Sequence, residues 1–420
     1  MTAEEDGREL KAGERTRDRV LLRGARVVLP DGVADDATIL VEGGLIARVA
    51  TDDELSSEAR DAREFDLRGA TLYPGFVDVH IHGAVGVDAL AASAEDLRRV
   101  ARFLASRGVT SWLPTLVPAP DEDYRRAVGA IATLMREQDE EATTVGDRER
   151  PPSARALGVH YEGPFVNTAQ CGALRTRYFR TFADASSLEG VAAIDDPRAV
   201  HLMTVAPEIE GGVALVGELC GRGWIVSVGH TRADAQTLDA ARGAGARHLT
   251  HFFNAMSPLH HRAPGVVGWG LLADDVTCDV IADGVHCHPL ALRLALRCKG
   301  ADRLALISDA VLPAGLGDGD YEVWGETITV EGGRTRNARG SIAGSVITSL
   351  DAARMMLALG ARPHEVARMA SLTPARLLGV EDSCGSIEEG KRADLVAIDD
   401  GGQVRLTLIA GRVAFDAAEK

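Results

Sequence analysis

Short apolar runs alternate with amphipathic stretches through the middle of the chain. The intervening segments 94–107 and 233–244 are rich in alanine and carry their charges on one face, which predicts amphipathic crossover helices. This alternation is typical of a parallel α/β sheet, and eight such strands predict a (β/α)8 TIM-like barrel. The predicted strands are 75–79, 109–116, 156–161, 201–206, 225–228, 248–249, 277–281 and 303–307.

The two chain ends have a different pattern. Short strand-like runs with Asp-Gly and Gly-Gly turns occupy residues 20–50, and similar runs return at 394–398, 404–409 and 411–415. Both ends together therefore predict one small β-sandwich. The predicted boundaries are a disordered tail at 1–19, sandwich at 20–73, barrel at 74–380, and sandwich again at 381–420.

One polar segment interrupts the barrel pattern. Residues 135–153 are rich in Glu, Asp, Arg and Pro, which favours a solvated surface insertion over a core element. We predict a disordered loop there.

Metal-ligating side chains stand at the ends of several predicted strands. They are His80, His82, Glu162, His230, His251 and Asp309. A single strand-end histidine is more often a hydrogen-bonded core or loop residue, but His80 and His82 share one face because side chains alternate along a strand. Imidazole and carboxylate hold zinc, iron or manganese with a position left open, and barrels gather catalytic groups at strand ends. The pattern predicts a metal-dependent hydrolase.

Composition fits a soluble enzyme. The 420 residues, 45% of them hydrophobic, exceed the roughly 250 that a barrel needs. No apolar run approaches the roughly 20 residues that cross a bilayer, and the charged N-terminus does not resemble a signal peptide. The six cysteines form no Cys-x-x-Cys pair, so we expect reduced thiols in the cytoplasm.

Charge limits the partners. A net charge of -16 argues against nonspecific binding to nucleic acid or an anionic membrane. An aromatic content of 4% argues against aromatic surfaces on which the bases of a nucleic acid could stack. A small anionic substrate is compatible with this net charge, provided that arginines in the site bind it.

Several segments carry a family resemblance. The whole chain resembles the amidohydrolase superfamily and, within it, the N-acetylglucosamine-6-phosphate deacetylases. The matching segments are PGFVDVHIHG (74–83), HYEGPF (160–165), GHT (229–231), THFFNAM (250–256), IADGVH (281–286), SDA (308–310) and GSIEEGKRADL (385–395). The EGPF, FNAM and ADGxH parts are specific to the deacetylases, whereas the first and last segments mark the superfamily.

The resemblance implies a ligand set and a mechanism. Glu162, His230 and His251 are similar to the ligands of the ion that every member holds. His80, His82 and Asp309 are similar to those of a second ion found in some members. We therefore expect one or two divalent transition-metal ions, zinc favoured over iron or manganese. Asp309 would move a proton from water to the leaving amine, and His286 would stabilise the carbonyl oxygen.

The resemblance also implies substrate contacts. They are Ala173, Asn254, Ala255, Arg262, His286, Ala343, Gly344 and Ser345. The planar fork of Arg262 suits phosphate, because it donates two hydrogen bonds at once. The plainer alternatives are a solvated surface arginine at Arg262 and an ordinary loop histidine, next to His288, at His286.

One departure concerns specificity. Leu174 stands where the family has a histidine that contacts substrate, so either Arg175 or Arg177 takes over the contact or the substrate lacks that group. The favoured reaction converts N-acetylglucosamine 6-phosphate to glucosamine 6-phosphate and acetate. An unphosphorylated or galacto-configured N-acyl amino sugar is the alternative, and a noncatalytic scaffold is a remote one. By analogy we expect a homodimer that acts on a small molecule.

Overall fold

The computed structural model describes residues 19–55, 61–143 and 150–419. The predicted tail lies outside these residues, except for Arg19, which begins the first strand. The strands are β1 (Arg19–Leu29), β2 (Gly32–Glu42), β3 (Leu45–Thr51), β4 (Arg63–Asp66), β5 (Ala70–Pro74), β6 (Phe76–Ile81), β7 (Gly83–Ala84), β8 (Val87–Asp88), β9 (Val109–Leu116), β10 (Arg155–Ala156), β11 (Gly158–Glu162), β12 (Val200–Val205), β13 (Ile225–Val228), β14 (His248–Leu249), β15 (Thr277–Ile281), β16 (Leu304–Ile307), β17 (Gly319–Val323), β18 (Glu326–Glu331), β19 (Arg334–Asn337), β20 (Leu395–Asp399), β21 (Val404–Ile409) and β22 (Arg412–Asp416).

Helices fill most of the crossovers. The α-helices are α1 (Asp52–Leu55), α2 (Ala94–Ala105), α3 (Asp121–Thr143), α4 (Gly212–Gly221), α5 (Ala235–Ala244), α6 (Gly265–Leu272), α7 (Pro289–Lys299), α8 (Ser349–Ala358), α9 (Pro363–Ala367) and α10 (Thr373–Leu378). Among the described residues, no helix is long and apolar enough to cross a membrane.

The predicted barrel is confirmed. Its parallel strands follow the order β6, β9, β11, β12, β13, β14, β15, β16, and each corresponds to one predicted strand. First and last strands approach each other where the Asp309 amide donates to the His80 carbonyl at 2.8 Å and the His82 amide donates to the Ala310 carbonyl at 2.8 Å. The barrel is therefore nearly closed at its C-terminal end.

The prediction of a disordered loop at 135–153 was wrong for its first part. Residues 135–143 continue α3, whose preceding turns bury Tyr124 and Ile131. Arg98 on α2 is buried and pairs with Glu137 at 2.7 Å and Glu141 at 2.8 Å. The charges that suggested a solvated loop thus join two helices. Residues 144–149 lie outside the described residues.

Both chain ends contribute to one β domain, as predicted, and their strands join in a single sheet. Its order is β22, β21, β20, β5, β1, β2, β3, with β4 also paired to β1. Strand β5 from the N-terminal part pairs with β20 from the C-terminal part, where Leu72 faces Ala397 and Tyr73 faces Val396. A separate apolar core, including Leu72, Leu395 and Leu408, lies within this sheet domain. The domain boundaries at 73/74 and 380/381 stay predictions.

One element was not predicted. Strands β17, β18 and β19 form a three-stranded antiparallel sheet between the last barrel strand and α8. The sequence analysis overlooked it, although β18 and β19 bury alternate residues with the period of two that is typical of strands.

Candidate active site

Six side chains far apart in sequence meet at the C-terminal end of the barrel. The Glu162 Oε1 atom lies 2.9 Å from His230 Nε2 and 3.0 Å from His251 Nε2. Its Oε2 atom lies 3.3 Å from His82 Nε2. Asp309 Oδ1 lies 3.3 Å from the same His82 atom. His80 joins the group, with its Nε2 atom 3.4 Å from Asp309 and 3.6 Å from Glu162. Glu162 therefore stands at the centre of the cluster.

Backbone conformation aims three of these side chains. His230, His251 and Asp309 each follow a barrel strand by two residues and have φ values of +48°, +34° and +49°. Non-glycine residues rarely adopt this left-handed region, and such strain is typically retained at functional sites. The turn directs each side chain back over the barrel opening, where all three are buried.

Outer hydrogen bonds orient two of the rings. His82 Nδ1 lies 3.2 Å from the Thr115 carbonyl oxygen, and His230 Nδ1 lies 2.7 Å from that of Gln170. A carbonyl at Nδ1 accepts its proton and leaves Nε2 free to act as a ligand. The ring nitrogens that face the cluster are thus the ones suited to bind an ion.

The carboxylates stabilise positive charge in the cluster. Burial alone would lower the pKa of His82, but hydrogen bonds to Asp309 and Glu162 outweigh it and raise the pKa to about 10. Burial also opposes charge on His251, whose pKa rises to about 9 because of Glu162. The pKa of Glu162 is held well below its usual range, since His230 and the neighbouring rings outweigh burial. The cluster therefore favours a cation at its centre.

Ligand spacing fits a metal ion. Within the part of the chain that the structure describes, two groups are compatible with an ion: His80, His82 and Glu162, and Glu162, His230 and His251. The ligand atoms of a tetrahedral zinc with bonds of about 2.0–2.1 Å lie roughly 3.3 Å apart. The Nε2 atoms of His80 and His82 are 3.2 Å apart, and those of His230 and His251 are 3.0 Å apart. Both groups therefore have the dimensions of an ion site.

His286 is held by a neighbouring carboxylate. Its Nδ1 atom lies 2.7 Å from Asp283 Oδ2, while the amides of Val285 and His286 donate to Asp283 Oδ1 at 2.8 Å. Burial raises the pKa of Asp283, but the His286 contact and these amides lower it overall. Both Asp283 and His286 belong to the Ala-Asp-Gly-x-His segment, but only His286 was predicted to be a functional residue.

Other predicted substrate contacts border the cluster. The Ser345 amide donates to the Asp309 carbonyl at 2.8 Å, so Ala343, Gly344 and Ser345 run beside that residue. The Asn254 side chain donates to the His251 carbonyl at 3.2 Å.

Two further predicted contacts lie next to histidine ligands. The Ala255 carbonyl, in a residue with φ of +49°, accepts from the Thr231 amide at 3.1 Å, next to His230. Ala173 follows Gly172, where an added Cβ would lie 3.5 Å from the His230 ring. Both contacts therefore lie beside His230.

Arg262 stands apart from it. Its side chain is exposed, and Nη1 lies 2.7 Å from the His261 ring. Within the described ranges, no hydrogen bond or ion pair joins Arg262 to the six clustered side chains. Its predicted role in binding phosphate stays a prediction.

The position that departs from the family pattern faces the core. Leu174 is buried with 4% of its surface exposed. Arg175 donates to the Pro118 carbonyl at 3.1 Å and stacks over Tyr178. Arg177 stacks over the same ring. Whether Arg175 or Arg177 replaces the histidine contact, or the substrate lacks that group, stays a prediction.

Comparison with known proteins agrees with this geometry. The sequence profile of the amidohydrolase family matches residues 71–414. The chain is 36% identical to N-acetylgalactosamine-6-phosphate deacetylase of Escherichia coli O157:H7, over 94% of this chain and 99% of that protein. It is 33% identical to N-acetylglucosamine-6-phosphate deacetylase of Bacillus subtilis strain 168, over 96% and 98%.

The chain belongs to the amidohydrolase family. Solved structures agree with this assignment. N-acetylglucosamine-6-phosphate deacetylase from Pasteurella multocida superposes with a TM-score of 0.83 at 28% identity, covering 94% of this chain and 99% of that one. A mutant of the Mycobacterium smegmatis enzyme, in complex with N-acetyl-D-glucosamine-6-phosphate, gives 0.83 at 30% identity, with 94% and 99% covered.

Glu208 is a residue of this amidohydrolase that sequence reasoning missed. The Asn167 side chain donates to it at 2.7 Å and the Arg232 amide at 2.6 Å. The backbone amide of Asn167 also donates to the His230 carbonyl at 3.0 Å. Glu208 thus ties two loops together behind His230, a role that only the folded arrangement reveals.

Proposed function

We propose that this amidohydrolase is a metal-dependent deacetylase that hydrolyses the acetamide of an N-acetylated amino-sugar phosphate. The favoured substrate is N-acetylglucosamine 6-phosphate, with glucosamine 6-phosphate and acetate as products. The observation that carries the proposal is the convergence of His80, His82, Glu162, His230, His251 and Asp309 in one buried cluster. Relatives over nearly the whole chain that are named as amino-sugar-phosphate deacetylases support it.

The metal ligands are assigned within this proposal. Glu162, His230 and His251 would hold one divalent transition-metal ion, and His80, His82 and Asp309 would contribute to a second. Zinc is favoured because nitrogen and carboxylate ligands at this spacing suit its tetrahedral geometry. When bound, a metal ion lowers the pKa of a coordinated water toward neutrality and polarises the substrate carbonyl.

Asp309 moves the proton in this mechanism. Its carboxylate faces the cluster from the loop after β16, so it can accept a proton from the attacking water. The same carboxyl group then delivers that proton to the nitrogen of the leaving amine. Without this transfer the amine would depart as an unstable anion, so the carbon–nitrogen bond would not break at a useful rate.

His286 would stabilise the carbonyl oxygen as negative charge develops on it. Because Asp283 accepts from Nδ1, the Nε2 atom can donate to that oxygen only when both ring nitrogens carry protons. The contact with Asp283 fixes the orientation of the ring. Preorganised donors of this kind act most strongly where water is excluded.

The galacto epimer is a second candidate substrate. The observation that favours it is the 36% identity to a protein named for N-acetylgalactosamine 6-phosphate. Both epimers present the same acetamide to the cluster, so they differ only in contacts at the rim. Leu174, which lacks a polar group, stands where the related deacetylases have a substrate-contacting histidine, and it is buried.

Assembly and location follow the family expectation. A homodimer in the cytoplasm is proposed. A noncatalytic scaffold is disfavoured, because such a protein would be expected to have gaps in its ligand set, and all six candidate ligands lie together.

A substrate panel tests the proposal. Purified protein would be supplied with N-acetylglucosamine 6-phosphate, its galacto epimer and the unphosphorylated N-acetyl sugars, and amine release would be measured for each. We expect kcat/KM to be highest for a phosphorylated sugar. Failure to release amine from any phosphorylated substrate would contradict the proposal.

A further inference from the structure

The tip of the β17–β18 hairpin carries an unusual residue. Trp324 and Gly325 form its two-residue turn, with φ values of +55° and +79°. Turns of this kind favour Asn and Gly, because a left-handed conformation is unfavourable for other residues. The turn itself therefore gives no reason for a tryptophan, so the reason lies in what the indole contacts.

Trp324 packs against the cluster. Its ring lies 5.2 Å from that of His82, edge to face, with an interplanar angle of 80°. It also belongs to a small apolar group around Val323, Ile328 and Ala343, against which Ala173 and Leu312 pack as well. We name Trp324, Ala173, Leu312 and Ala343 the apolar wall.

The apolar wall borders the candidate ligands on three sides. Trp324 touches His82. Ala173 follows Gly172, which lies against the His230 ring. Ala343 precedes Gly344, whose φ of +60° and close approach to the Asp309 carbonyl leave no room for a side chain. Trp324 thus presents an apolar ring directly beside His82, and Ala173 and Ala343 adjoin the glycines that approach His230 and Asp309.

The proposed substrate has one group that matches such a surface. Its carbonyl carbon must lie beside the metal ligands and Asp309 for hydrolysis. The acetyl methyl is bonded to that carbon, whereas the rest of the substrate is polar. Burying a methyl group against an apolar surface is favourable, whereas forcing an extra methylene into a packed site is unfavourable.

We infer that Trp324 determines acyl-group specificity, because its indole closes the apolar wall behind the acetyl methyl and excludes longer acyl chains. The inference rests on the proposed function and deepens it. It assigns the three-stranded sheet β17–β19, which was not predicted, a role in selecting the acyl group. Selection of the sugar is left to the loops that carry Ala173 and Arg262.

The test compares acyl groups on one sugar. The kcat/KM values for N-acetyl-, N-propionyl- and N-butyrylglucosamine 6-phosphate would be measured for the wild type, Trp324→Ala and Trp324→Leu. One misfitting methylene is worth about 10–200-fold in kcat/KM, so we expect the wild type to reject propionyl by that order. The propionyl-to-acetyl ratio should rise at least about tenfold in both variants.

A second tryptophan provides the control. Trp269 on α6 is half-buried, and its Nε1 donates to Asp239 at 3.0 Å, away from the apolar wall. Trp269→Leu should leave the acyl ratio unchanged. Elemental analysis of each Trp324 variant adds a readout independent of activity, and we expect the wild-type metal content.

Several outcomes would overturn the inference. An unchanged acyl ratio in both Trp324 variants would do so. A changed preference between gluco and galacto sugars at constant acyl ratio would place the indole against the sugar ring instead. Loss of an ion would make Trp324 a positioning residue for His82. If the wild type released no acetate from any of these sugars, the proposed function would fail, and the inference with it.

Discussion

The candidate ligands and the candidate sugar contacts are held in different ways. Each ligand stands on a barrel strand or within two residues of its end, and several are hydrogen-bonded across strands. The sugar and phosphate contacts stand on longer loops, as Ala173 and Arg262 do. The difference suggests that strand register fixes the chemistry, whereas the loops can change the substrate without disturbing it.

The largest expected effect is on the chemical step. Asp309→Asn should lower kcat by about two to four orders of magnitude, because an amide cannot carry the proton to the leaving nitrogen. Stopped assays of amine release would measure it, and circular dichroism would show that the fold is retained. A folded variant with wild-type turnover would remove Asp309 from the mechanism.

The second largest loss of activity is expected for substitution of His286. Removing one donor to a developing oxyanion costs about 10²–10³ in kcat, and His286→Ala is expected to fall in this range. His288 is the matched control, since it is an exposed histidine that caps α7 by accepting from the Leu290 amide at 3.1 Å. His288→Asn can keep that cap and should retain full activity. Equal losses in both variants would count against a specific role for His286.

Substitution of Arg262 tests whether a loop residue binds the substrate phosphate. A hydrogen bond to a charged group contributes roughly 1.5–3 kcal/mol, so Arg262→Ala should lower kcat/KM for a 6-phosphate sugar by about one to two powers of ten. An unphosphorylated N-acetyl sugar should be almost unaffected. Equal harm to both substrates would show that the phosphate assignment is wrong.

Substitutions in the core of the terminal sheet should lower the stability of the protein and leave its activity unchanged. Leu395 is 1% exposed within its core, and a buried Leu→Ala change typically costs about 2–5 kcal/mol. Leu45, 45% exposed on β3, is the control, and Leu45→Ala should change the free energy of unfolding by less than about 0.5 kcal/mol. Denaturant titration would measure both. A fall in kcat for folded Leu395→Ala would show that the sheet supports the cluster directly.

The sequence predicted the barrel and the assembly of the cluster because both depend on local patterns. Apolar runs identified the strands, and polar residues at their ends, such as Glu162 and His230, necessarily met at one edge of the barrel. The helix over residues 135–143 escaped prediction because its charges pair with Arg98, which lies far away in sequence.

The residues that were missed act through contacts that no local pattern contains. Glu208 joins loops separated by more than sixty positions, since Asn167 and Arg232 both donate to it. Trp324 reaches His82 only through the β17–β18 hairpin, which brings together residues more than two hundred positions apart in sequence. Loop geometry set by long-range hydrogen bonds is therefore what the sequence left open.

The most direct test of the account is a metal titration followed by acetate release. Protein stripped by a chelator would be reloaded with zinc, iron or manganese, and bound metal and acetate from N-acetylglucosamine 6-phosphate would be measured together. We expect activity to return with the first ion per chain, and we expect Glu162→Gln, which weakens the central ligand, neither to retain that ion nor to recover activity. Full acetate release by protein that elemental analysis shows to hold no stoichiometric metal would contradict the account.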